Sequence, residues 1–370
     1  MTFRERLLTA LKGERPDTFP WFCDLTYWRH ARQADGDYPP EYEGEEGFVA
    51  LHRDYHVGYF LGYATVSRST YDNVTVESET HNGLTTTRWV TPVGEIWGQT
   101  RYLPETYSGA PVRWPVRDLD DLRVLRYIAD ATRTDPDQSQ FLSLRELCGD
   151  QGHPTVLPPR SPVSQMLAQW TGATALVYLD ADASEELRAT LDALGRAADG
   201  AYAAIEQSET PFTELPDNLS GEIVTPLFRK YQFDYYVQRI ESLHASGKLV
   251  GTHLDGTIRG ILPLLVETGL DYIESITPAP VGDVPVAELR ELAGPDVVLF
   301  GGMPGAMFAP QFPRDQVRRH FDSIVEHHWD HGRFVLGSAD QIPPDGDMNL
   351  VREVGLWCEE LIGRGARAGL

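Results

Sequence analysis

The chain has 370 residues, of which 41% are hydrophobic and 24% are charged, an ordinary composition for a globular protein. Asp and Glu outnumber Lys and Arg by 55 to 32, which gives a formal net charge of −23. Such an acidic chain lacks the basic surface that nucleic acids and anionic membranes require, so we exclude both as partners.

The cysteines and the N-terminus indicate the compartment. Cys23, Cys148 and Cys358 are far apart and form no CxxC metal-binding spacing, so a disulfide framework is not expected. The N-terminus, MTFRERLLTALKGERPD, has charges throughout and a helical periodicity, unlike a secretory signal. No apolar run reaches the roughly 18–20 residues of a membrane span. We therefore expect a cytoplasmic protein.

The first third of the chain predicts a helix, a strand and an antiparallel excursion. FRERLLTALKG (3–13) has the apolar face of a helix that ends at its glycine, and PWFCDLT (20–26) predicts a strand. Further on, Asn82-Gly83 stands between alternating, threonine-rich runs, which is the strongest short-range signal for a β-hairpin. We predict a hairpin insertion over 60–115 and peripheral helices over 117–150.

The remainder of the chain has a regular rhythm. From residue 154 onward, short apolar runs alternate with amphipathic helical stretches such as 184–208 and 225–247. Such repetition predicts a parallel sheet with covering helices. With PWFCDLT included, about seven or eight strands are present, which favours a (β/α)₈ TIM-type barrel. A Rossmann fold is disfavoured because no GxGxxG follows an early strand. We predict one α/β barrel domain over 1–370.

Several predicted strands end in ionisable residues, and barrel enzymes carry their catalytic groups at such ends. GTHLDG contains His253 and Asp255, which project to the same side because strand residues i and i+2 share a face. Glu274 and Asp340 end two other strands. One imidazole among carboxylates indicates a site for Zn²⁺, Mn²⁺ or Fe²⁺ rather than a soft thiolate site. The other polar strand-end residues are Asp24, Asp217 and Asn218.

These residues also have structural interpretations. Asp255 stands where it can cap the next helix through the N–H groups of Thr257 or Ile258. Asp340 precedes QIPPD and fits an Asx-turn or a helix start. Asp24 has the arginines of WRHAR close by in sequence. Spacing alone leaves a shared site and a set of unrelated turns as alternatives.

Four segments that together extend over nearly the whole chain resemble the uroporphyrinogen decarboxylase superfamily. They are RERLLTALKGERPDTFPWF (4–22), PDNLSGEIVTPLFRKY (216–231), GTHLDGTIRGILPLLVETGLDYIESITPAPVGDV (251–284) and RFVLGSADQIPPDGDMNLVREV (333–354). The last segment is the most specific, because a strand, small residues, a polar residue and then IPP form a distinctive order. The resemblance implies a (β/α)₈ barrel, in agreement with the alternation of predicted elements.

Within that superfamily, the chain is nearer to the corrinoid-dependent methyltransferase branch than to the porphyrin decarboxylases. The decarboxylase motif Phe-Met-Arg-Gln-Ala-Gly-Arg is replaced here by CDLTYWRHAR. In the thiol-alkylating methyltransferases, zinc is held by a His-x-Cys at the strand matching GTHLDG and by a Cys in the block matching GSADQIPP. The matching residues are His253, Asp255 and Asp340, so the resemblance implies a metal there, with aspartates in place of both thiolates.

Two carboxylates make the implied metal site harder than a thiolate site and favour an oxygen ligand. We therefore expect a metal-dependent methyltransferase of the demethylase type, with zinc as the metal. It would move a methyl group between a small O-methyl or similar donor and a corrinoid carried by a separate partner protein. The expected metal ligands are His253, Asp255, Glu274 and Asp340, and Glu274 and Asp255 are the expected catalytic residues. The expected substrate-binding residues are Asp24, Tyr27, Asp217, Asn218 and Arg259.

Two other functions stay open at this point. The first is a metal-assisted decarboxylase or lyase for a small carboxylated substrate, with arginines as carboxylate clamps. The candidate clamps are Arg29, Arg32, Arg160 and Arg259. The second is a non-catalytic barrel that binds a ligand. A homodimer is compatible with any of the three functions, and the sequence identifies no interface.

Overall fold

The computed structural model of the protein describes residues 1–59, 62–221 and 225–362. Three parts of the sequence predictions lie outside these ranges. They are the start of the predicted insertion (60–61), a short piece of the segment PDNLSGEIVTPLFRKY (222–224), and the last residues of the predicted domain (363–370).

The described residues form strands and helices that are numbered here in chain order. The strands are β1 (Trp21–Asp24), β2 (Tyr63–Ala64), β3 (Ser67–Tyr71), β4 (Thr75–His81), β5 (Leu84–Thr91), β6 (Gly94–Leu103), β7 (Ser108–Arg113), β8 (Thr132–Pro136), β9 (Thr155–Val156), β10 (Phe212–Leu219), β11 (Leu249–Leu254), β12 (Tyr272–Ile276), β13 (Val298–Pro304) and β14 (Phe334–Gln341). The α-helices are α1 (Phe3–Leu11), α2 (Thr26–Asp35), α3 (Gly44–Asp54), α4 (Leu119–Asp130), α5 (Ser139–Cys148), α6 (Pro162–Gln165), α7 (Gly172–Asp182), α8 (Ser184–Ala197), α9 (Asp199–Gln207), α10 (Thr225–Leu227), α11 (Phe233–Ala245), α12 (Leu262–Glu267), α13 (Leu289–Ala293), α14 (Arg314–His328) and α15 (Met348–Glu359).

Eight strands form one curled parallel sheet, in the order β1-β14-β13-β12-β11-β10-β9-β2. From β9 to β14, strands that are consecutive in the chain are also neighbours in the sheet, and helices connect them. Single-residue bridges join Phe22 to Gly58 and Tyr59 to Gly152, so the chain just before β2 contacts both β1 and the segment before β9. The predicted α/β fold with a parallel sheet is confirmed.

Alternate strand residues contribute to two separate apolar clusters, as expected for a sheet that is covered on both faces. One cluster packs against the covering helices. The other contains Phe212, Tyr272 and Phe300, which are at most 1% exposed, and it also includes Leu7 and Leu11 of α1. The predicted N-terminal helix is therefore present, and it packs against the face of the sheet that lies away from the other helices.

The predicted antiparallel insertion is present and is larger than one hairpin. Strands β4 to β7 form a four-stranded antiparallel sheet, and Asn82-Gly83 makes the turn between β4 and β5 with both residues at positive φ. Segment 117–150 contains the two helices α4 and α5 with the strand β8 between them, and β8 pairs with β3. β2, at the start of the predicted insertion, belongs to the parallel sheet instead.

Among its contacts, the insertion meets two parts of the chain that follow strands of the parallel sheet. At the first, the Tyr27 hydroxyl in the first turn of α2 donates a hydrogen bond to the carbonyl oxygen of Thr106 over 2.9 Å. At the second, Trp89 of β5 meets Trp170 edge-on, with ring centroids 5.3 Å apart. Because α2 follows β1 and Trp170 follows β9, the insertion flanks the carboxyl edge of the parallel sheet.

Two further observations concern the sequence predictions. All three cysteines are buried and free. No helix in the described ranges combines the length and apolarity needed to cross a membrane.

Candidate metal centre

Three ionisable side chains meet on the neighbouring strands β10, β11 and β12. In the sheet register Glu214 lies opposite Gly251, and His253 lies opposite Glu274. Ligand atoms of Glu214, His253 and Glu274, hereafter the Glu-His-Glu group, all lie within 4.8 Å of one another. Two carboxylates and one imidazole at such distances form a donor set that a divalent cation can occupy.

The two carboxylates of the group are deeply buried. Glu214 is 1% exposed and Glu274 is 6% exposed. Glu274 Oε2 lies 2.5 Å from Nδ1 of His253, whereas Glu214 Oε2 has no hydrogen-bond partner among the described residues. A buried carboxylate oxygen without a partner is costly, because water no longer solvates it. A cation bound by the group would remove that cost.

The pKa values of the group reflect strong mutual interaction. Burial disfavours the charged imidazolium, but the negative charges of Glu274, Glu214 and Asp340 outweigh burial and raise the pKa of His253 to about 9. Burial and the charge of Glu274 raise the pKa of Glu214 well above its ordinary value. In the absence of a cation, the group therefore retains protons that ordinary Glu and His side chains release.

The group borders a small pocket with a cavity volume of about 20 Å³. The pocket combines carboxylates with aromatic rings and a buried thiol. Its lining residues are Phe22, Cys23, Asp24, Tyr63, His253, Glu274, Phe300, Ser338 and Asp340.

Asp24 lines this pocket from the end of β1 and is held by neutral donors. Its Oδ1 accepts a hydrogen bond from the Thr26 amide over 2.7 Å and another from the Thr26 hydroxyl. Its Oδ2 accepts one from Nε2 of Gln341 over 3.0 Å. The nearby Arg29 pairs with Glu45 instead. The contact between Asp24 and the arginines of WRHAR that sequence proximity suggested is therefore replaced by contacts with Thr26 and Gln341.

Asp340 lies at the edge of the site, and the charge of Asp255 acts on it. Asp340 lines the pocket with a left-handed backbone, and its amide donates to Oγ of Ser275 over 2.8 Å. Asp255 is exposed and does not line the pocket. Burial is the main cause that raises the pKa of Asp340, and the charge of Asp255 is the next. The amide of Ile258, one of the two predicted donors to an Asp255 cap, donates to Asp283 over 2.8 Å instead.

The structure thus brings together part of the metal set predicted from the sequence. His253 and Glu274 are in direct contact and Asp340 lines the same pocket, whereas Asp255 is exposed and lies outside the pocket lining. The additional member of the group, Glu214, was not predicted. Its signal in the sequence is a carboxylate between the apolar residues of FTEL, inside a strand rather than at its end.

Asp217 and Asn218, predicted to bind substrate, hold the framework around β10. Asp217 is 4% exposed and accepts hydrogen bonds from the amide of Ser161 over 2.8 Å and from the hydroxyl of Tyr236 over 2.7 Å. Asn218 accepts a hydrogen bond from Arg160 over 3.3 Å. Neither Asp217 nor Asn218 lines the pocket.

The two remaining predicted substrate residues, Tyr27 and Arg259, and the predicted arginine clamps have partners elsewhere. Tyr27 contacts the insertion, as described above. Arg259 pairs with Glu288 over 2.9 Å, and Arg32 pairs with Asp37 over 2.8 Å. In the described ranges, no arginine or lysine lines the pocket.

Comparison with known proteins gives a similarity at the level of the fold. No family model matches the chain, and no curated protein matches it significantly. Among solved structures, a methyltransferase from Methanosarcina mazei superposes with a TM-score of 0.61 over 97% of this chain and 99% of that one. The two sequences are 16% identical, so the likeness concerns the fold alone. Fold and site together define an α/β protein with a curled parallel sheet and a buried acidic centre able to hold a metal ion.

Proposed function

We propose that the protein is a metal-dependent methyltransferase of the demethylase type. It moves a methyl group between a small O-methyl or similar donor and a corrinoid carried on a separate protein. The observation that carries this proposal is the Glu-His-Glu group beside the pocket. The similarity in fold to a solved methyltransferase and the segments that resemble the uroporphyrinogen decarboxylase superfamily support it.

The residues present fit a divalent ion, and zinc is the metal proposed. Glu214, His253 and Glu274 would hold it, because zinc in catalytic sites takes three nitrogen or oxygen ligands from the protein and keeps one position open. The partnerless Oε2 of Glu214 supports this assignment. Asp340, which lines the pocket, and Asp255 are the alternative ligands that the resemblance implies.

When bound, such an ion supplies Lewis acidity toward an oxygen ligand. The protein residues determine which molecule would reach the ion. Glu274 accepts a hydrogen bond from Nδ1 of His253, which leaves Nε2 with the lone pair for coordination. Asp24, fixed by its hydrogen bonds from Thr26 and Gln341, orients the donor within the pocket. Glu274 is the residue proposed as general base, and beside the imidazole its charge keeps the proton on His253.

The finer structural predictions are part of the same proposal. We infer that the curled sheet closes into a (β/α)₈ barrel through the bridges of Phe22 with Gly58 and of Tyr59 with Gly152. The insertion flanks the carboxyl edge of this sheet, where the pocket lies, and we infer that it forms part of the docking face for the corrinoid protein. The proposed compartment is the cytoplasm.

The experiment that tests this proposal measures bound metal by plasma mass spectrometry after dialysis without chelator. We expect about one equivalent of zinc in the wild type and less than about 0.1 in His253→Ala, since each ligand lost weakens the site severely. His327→Ala, which removes an exposed histidine, is the matched control and should keep its zinc. Circular dichroism should show that both variants are folded.

The activity assay follows the absorption of the corrinoid while methoxy compounds are offered with a corrinoid protein. His253→Ala should abolish methyl transfer. Full zinc content and full turnover in that variant would contradict the metal role. Release of carbon dioxide from a carboxylated substrate without corrinoid would replace this proposal by the decarboxylase function.

A further inference from the structure

A cleft of about 210 Å³ lies between the helices α4 and α8, next to strand β3 and to the segment 159–170 that follows β9. An apolar cavity of about 150 Å³ accepts a benzene ring, so this cleft has room for a single-ring molecule. Among the described residues, it shares none of its lining with the pocket beside the Glu-His-Glu group. We name it the α4–α8 cleft.

The buried part of the cleft lining is apolar. It consists of Leu125, Ile128, Ala129, Leu194 and Ala198. Tyr71 and Trp170 add two aromatic rings, and Tyr71 is 43% exposed, so the cleft is open to solvent. An apolar lining with a few polar groups is typical of pockets that bind small molecules.

Hydrogen bonds within the protein fix the walls of the cleft. The hydroxyl of Thr132 donates to the carbonyl oxygen of Ile128 over 3.0 Å. Nε2 of Gln165 donates to the carbonyl oxygen of Arg160 over 2.8 Å. Because this second bond holds the backbone of Arg160, that residue has a fixed position in the lining.

Arg160 is the one charged side chain among the described residues that line the cleft, and it forms no ion pair with any of them. Its Nη1 donates to Oδ1 of Asn218 over 3.3 Å, whereas a guanidinium has five N–H groups to donate. Asp217 is close enough for its charge to interact with that of Arg160. The carboxylate of Asp217, however, accepts its hydrogen bonds from Ser161 and Tyr236. Arg160 therefore keeps donors for an anion from outside the protein.

Trp170 supplies a second unused donor. Nε1 of its indole is buried and has no hydrogen-bond partner in the part of the chain that the structure describes. Such a donor is costly, because a buried Trp N–H normally finds an acceptor. The ring is held in place by its edge-on contact with Trp89. An oxygen atom that enters the cleft beside this ring would supply the missing acceptor.

We propose that the α4–α8 cleft binds a small aromatic carboxylate. The ring of the ligand lies on the apolar lining between α4 and α8, and the carboxylate oxygens accept hydrogen bonds from Arg160 and Trp170. A guanidinium and a carboxylate form a charge-assisted pair whose geometry also gives specificity. This binding site is separate from the metal centre and goes beyond the proposed function.

The test measures the binding of benzoate to the full chain by isothermal titration calorimetry. Benzamide is the neutral isostere, and acetate is the carboxylate without a ring. The protein is first treated with chelator, so that no carboxylate can bind to zinc. We expect benzoate to bind at least about tenfold more tightly than either of the other two compounds. Undetectable binding of benzoate, or an affinity that does not exceed those of both other compounds, would overturn the inference.

Two substitutions assign the binding to the cleft. Arg160→Gln should weaken binding of benzoate about tenfold and binding of benzamide much less, because it removes the charge. Trp170→Phe should weaken binding of both compounds about threefold, because it removes a donor and keeps a ring. Arg68→Gln, at an exposed position of β3 outside the lining, is the control and should bind like the wild type.

The fold of each variant is checked by circular dichroism. Should Trp170→Phe be unfolded because Trp170 packs against Trp89, Arg160→Gln decides, since its side chain makes one long hydrogen bond to Asn218. Unchanged affinity for benzoate in a folded Arg160→Gln variant would contradict the assignment.

His253→Ala separates this site from the metal centre. The variant should bind benzoate as tightly as the chelator-treated wild type, and loss of benzoate binding in it would overturn the assignment to the cleft. A wild type that binds benzoate but takes up no zinc refutes the proposed function and supports this inference. A wild type that takes up zinc but does not bind benzoate refutes this inference and leaves the metal centre standing.

Discussion

Glu274 lies directly opposite His253 in the register of β11 and β12, and its Oε2 is 2.5 Å from Nδ1 of His253. A carboxylate in this position fixes both the orientation of the imidazole ring and the nitrogen that carries the proton. The orientation of His253 therefore depends on the pairing of two parallel strands, and its chemistry depends on the residue across from it.

Replacing Glu274 by Gln should separate the effect of the Glu274 charge on His253 from the effect of its size and position. The variant keeps the size of the side chain but loses the charge, so the pKa of His253 should fall from about 9 toward its ordinary value. Zinc affinity should fall by about 10- to 100-fold or more, as it does when partners of metal-binding histidines are removed. NMR titration of the His253 ring and competition with a chelator measure the two effects. Glu291→Gln, at an exposed position, is the control.

The metal-free protein should become less stable as the pH rises. The pKa of His253 in the folded state, about 9, is above the ordinary value of 6.5, so protonation stabilises the folded protein. This stabilisation is fully present below pH 6.5, is lost as the pH rises through about 9, and amounts to about 3 kcal/mol. Glu214, whose pKa is also raised, contributes in the same direction.

Urea unfolding of chelator-treated protein at about pH 6 and about pH 9.5 measures this loss, and His253→Ala should show a smaller difference. Zinc affinity should change in the opposite sense and increase with pH, because the ion competes with the proton on His253. A free energy of unfolding that rises between the two pH values in the metal-free wild type would contradict the assignment.

The members of the site differ in how visible they are in the sequence. Three of the residues stand at the ends of apolar runs: His253, Glu274 and Asp340. The rule that barrel strands end in functional groups therefore predicts them as site residues. Glu214 lies inside its strand and enters the group only because β10 and β11 pair with Glu214 opposite Gly251. That register depends on packing of the whole sheet, which no local pattern in β10 encodes.

The fold shows the same division between local and non-local information. The turn at Asn82-Gly83 was predictable because both residues adopt positive φ readily and the flanking runs alternate. The pairing of β3 with β8 joins Ser67 to Pro136 and was not predicted. Segment 132–136 is short and polar, and its strand conformation is set by a partner distant in sequence rather than by its own residues.

Asp217 provides a test of whether a predicted substrate residue is structural. Its carboxylate accepts hydrogen bonds from Ser161 and Tyr236 while nearly fully buried. Asp217→Ala should lower the free energy of unfolding by roughly 3 kcal/mol, because it leaves buried donors without their acceptor. Zinc content should stay the same. Asn218→Ala, at the exposed neighbour, should cost only about 1 kcal/mol, because Asn218 has a positive φ that alanine adopts less readily. Unchanged stability with lost substrate affinity would instead assign Asp217 to substrate binding.

Gly251 tests the link between strand packing and the metal centre. It lies opposite both Glu214 and Tyr272 in the sheet, and a Cβ atom at this position would lie 2.2 Å from the Tyr272 ring. The ring cannot move aside, because it is fully buried and its hydroxyl donates to the carbonyl oxygen of Thr213 over 3.1 Å. Gly251→Ala should therefore lower the free energy of unfolding by about 1–3 kcal/mol, the usual cost of overpacking.

The same substitution should weaken zinc binding, because the strands that separate to admit the methyl group carry Glu214 and Glu274. Gly195→Ala is the matched control, since its added methyl group would meet Tyr235 at an ordinary contact distance of 3.6 Å. Because Gly195 lies in a helix, the Gly195→Ala variant should be as stable as the wild type or up to about 1 kcal/mol more stable. Urea unfolding and chelator competition on both variants measure the effects. A Gly251→Ala variant that unfolds and binds zinc like the wild type would show that the register of β10, β11 and β12 does not hold the Glu-His-Glu group together.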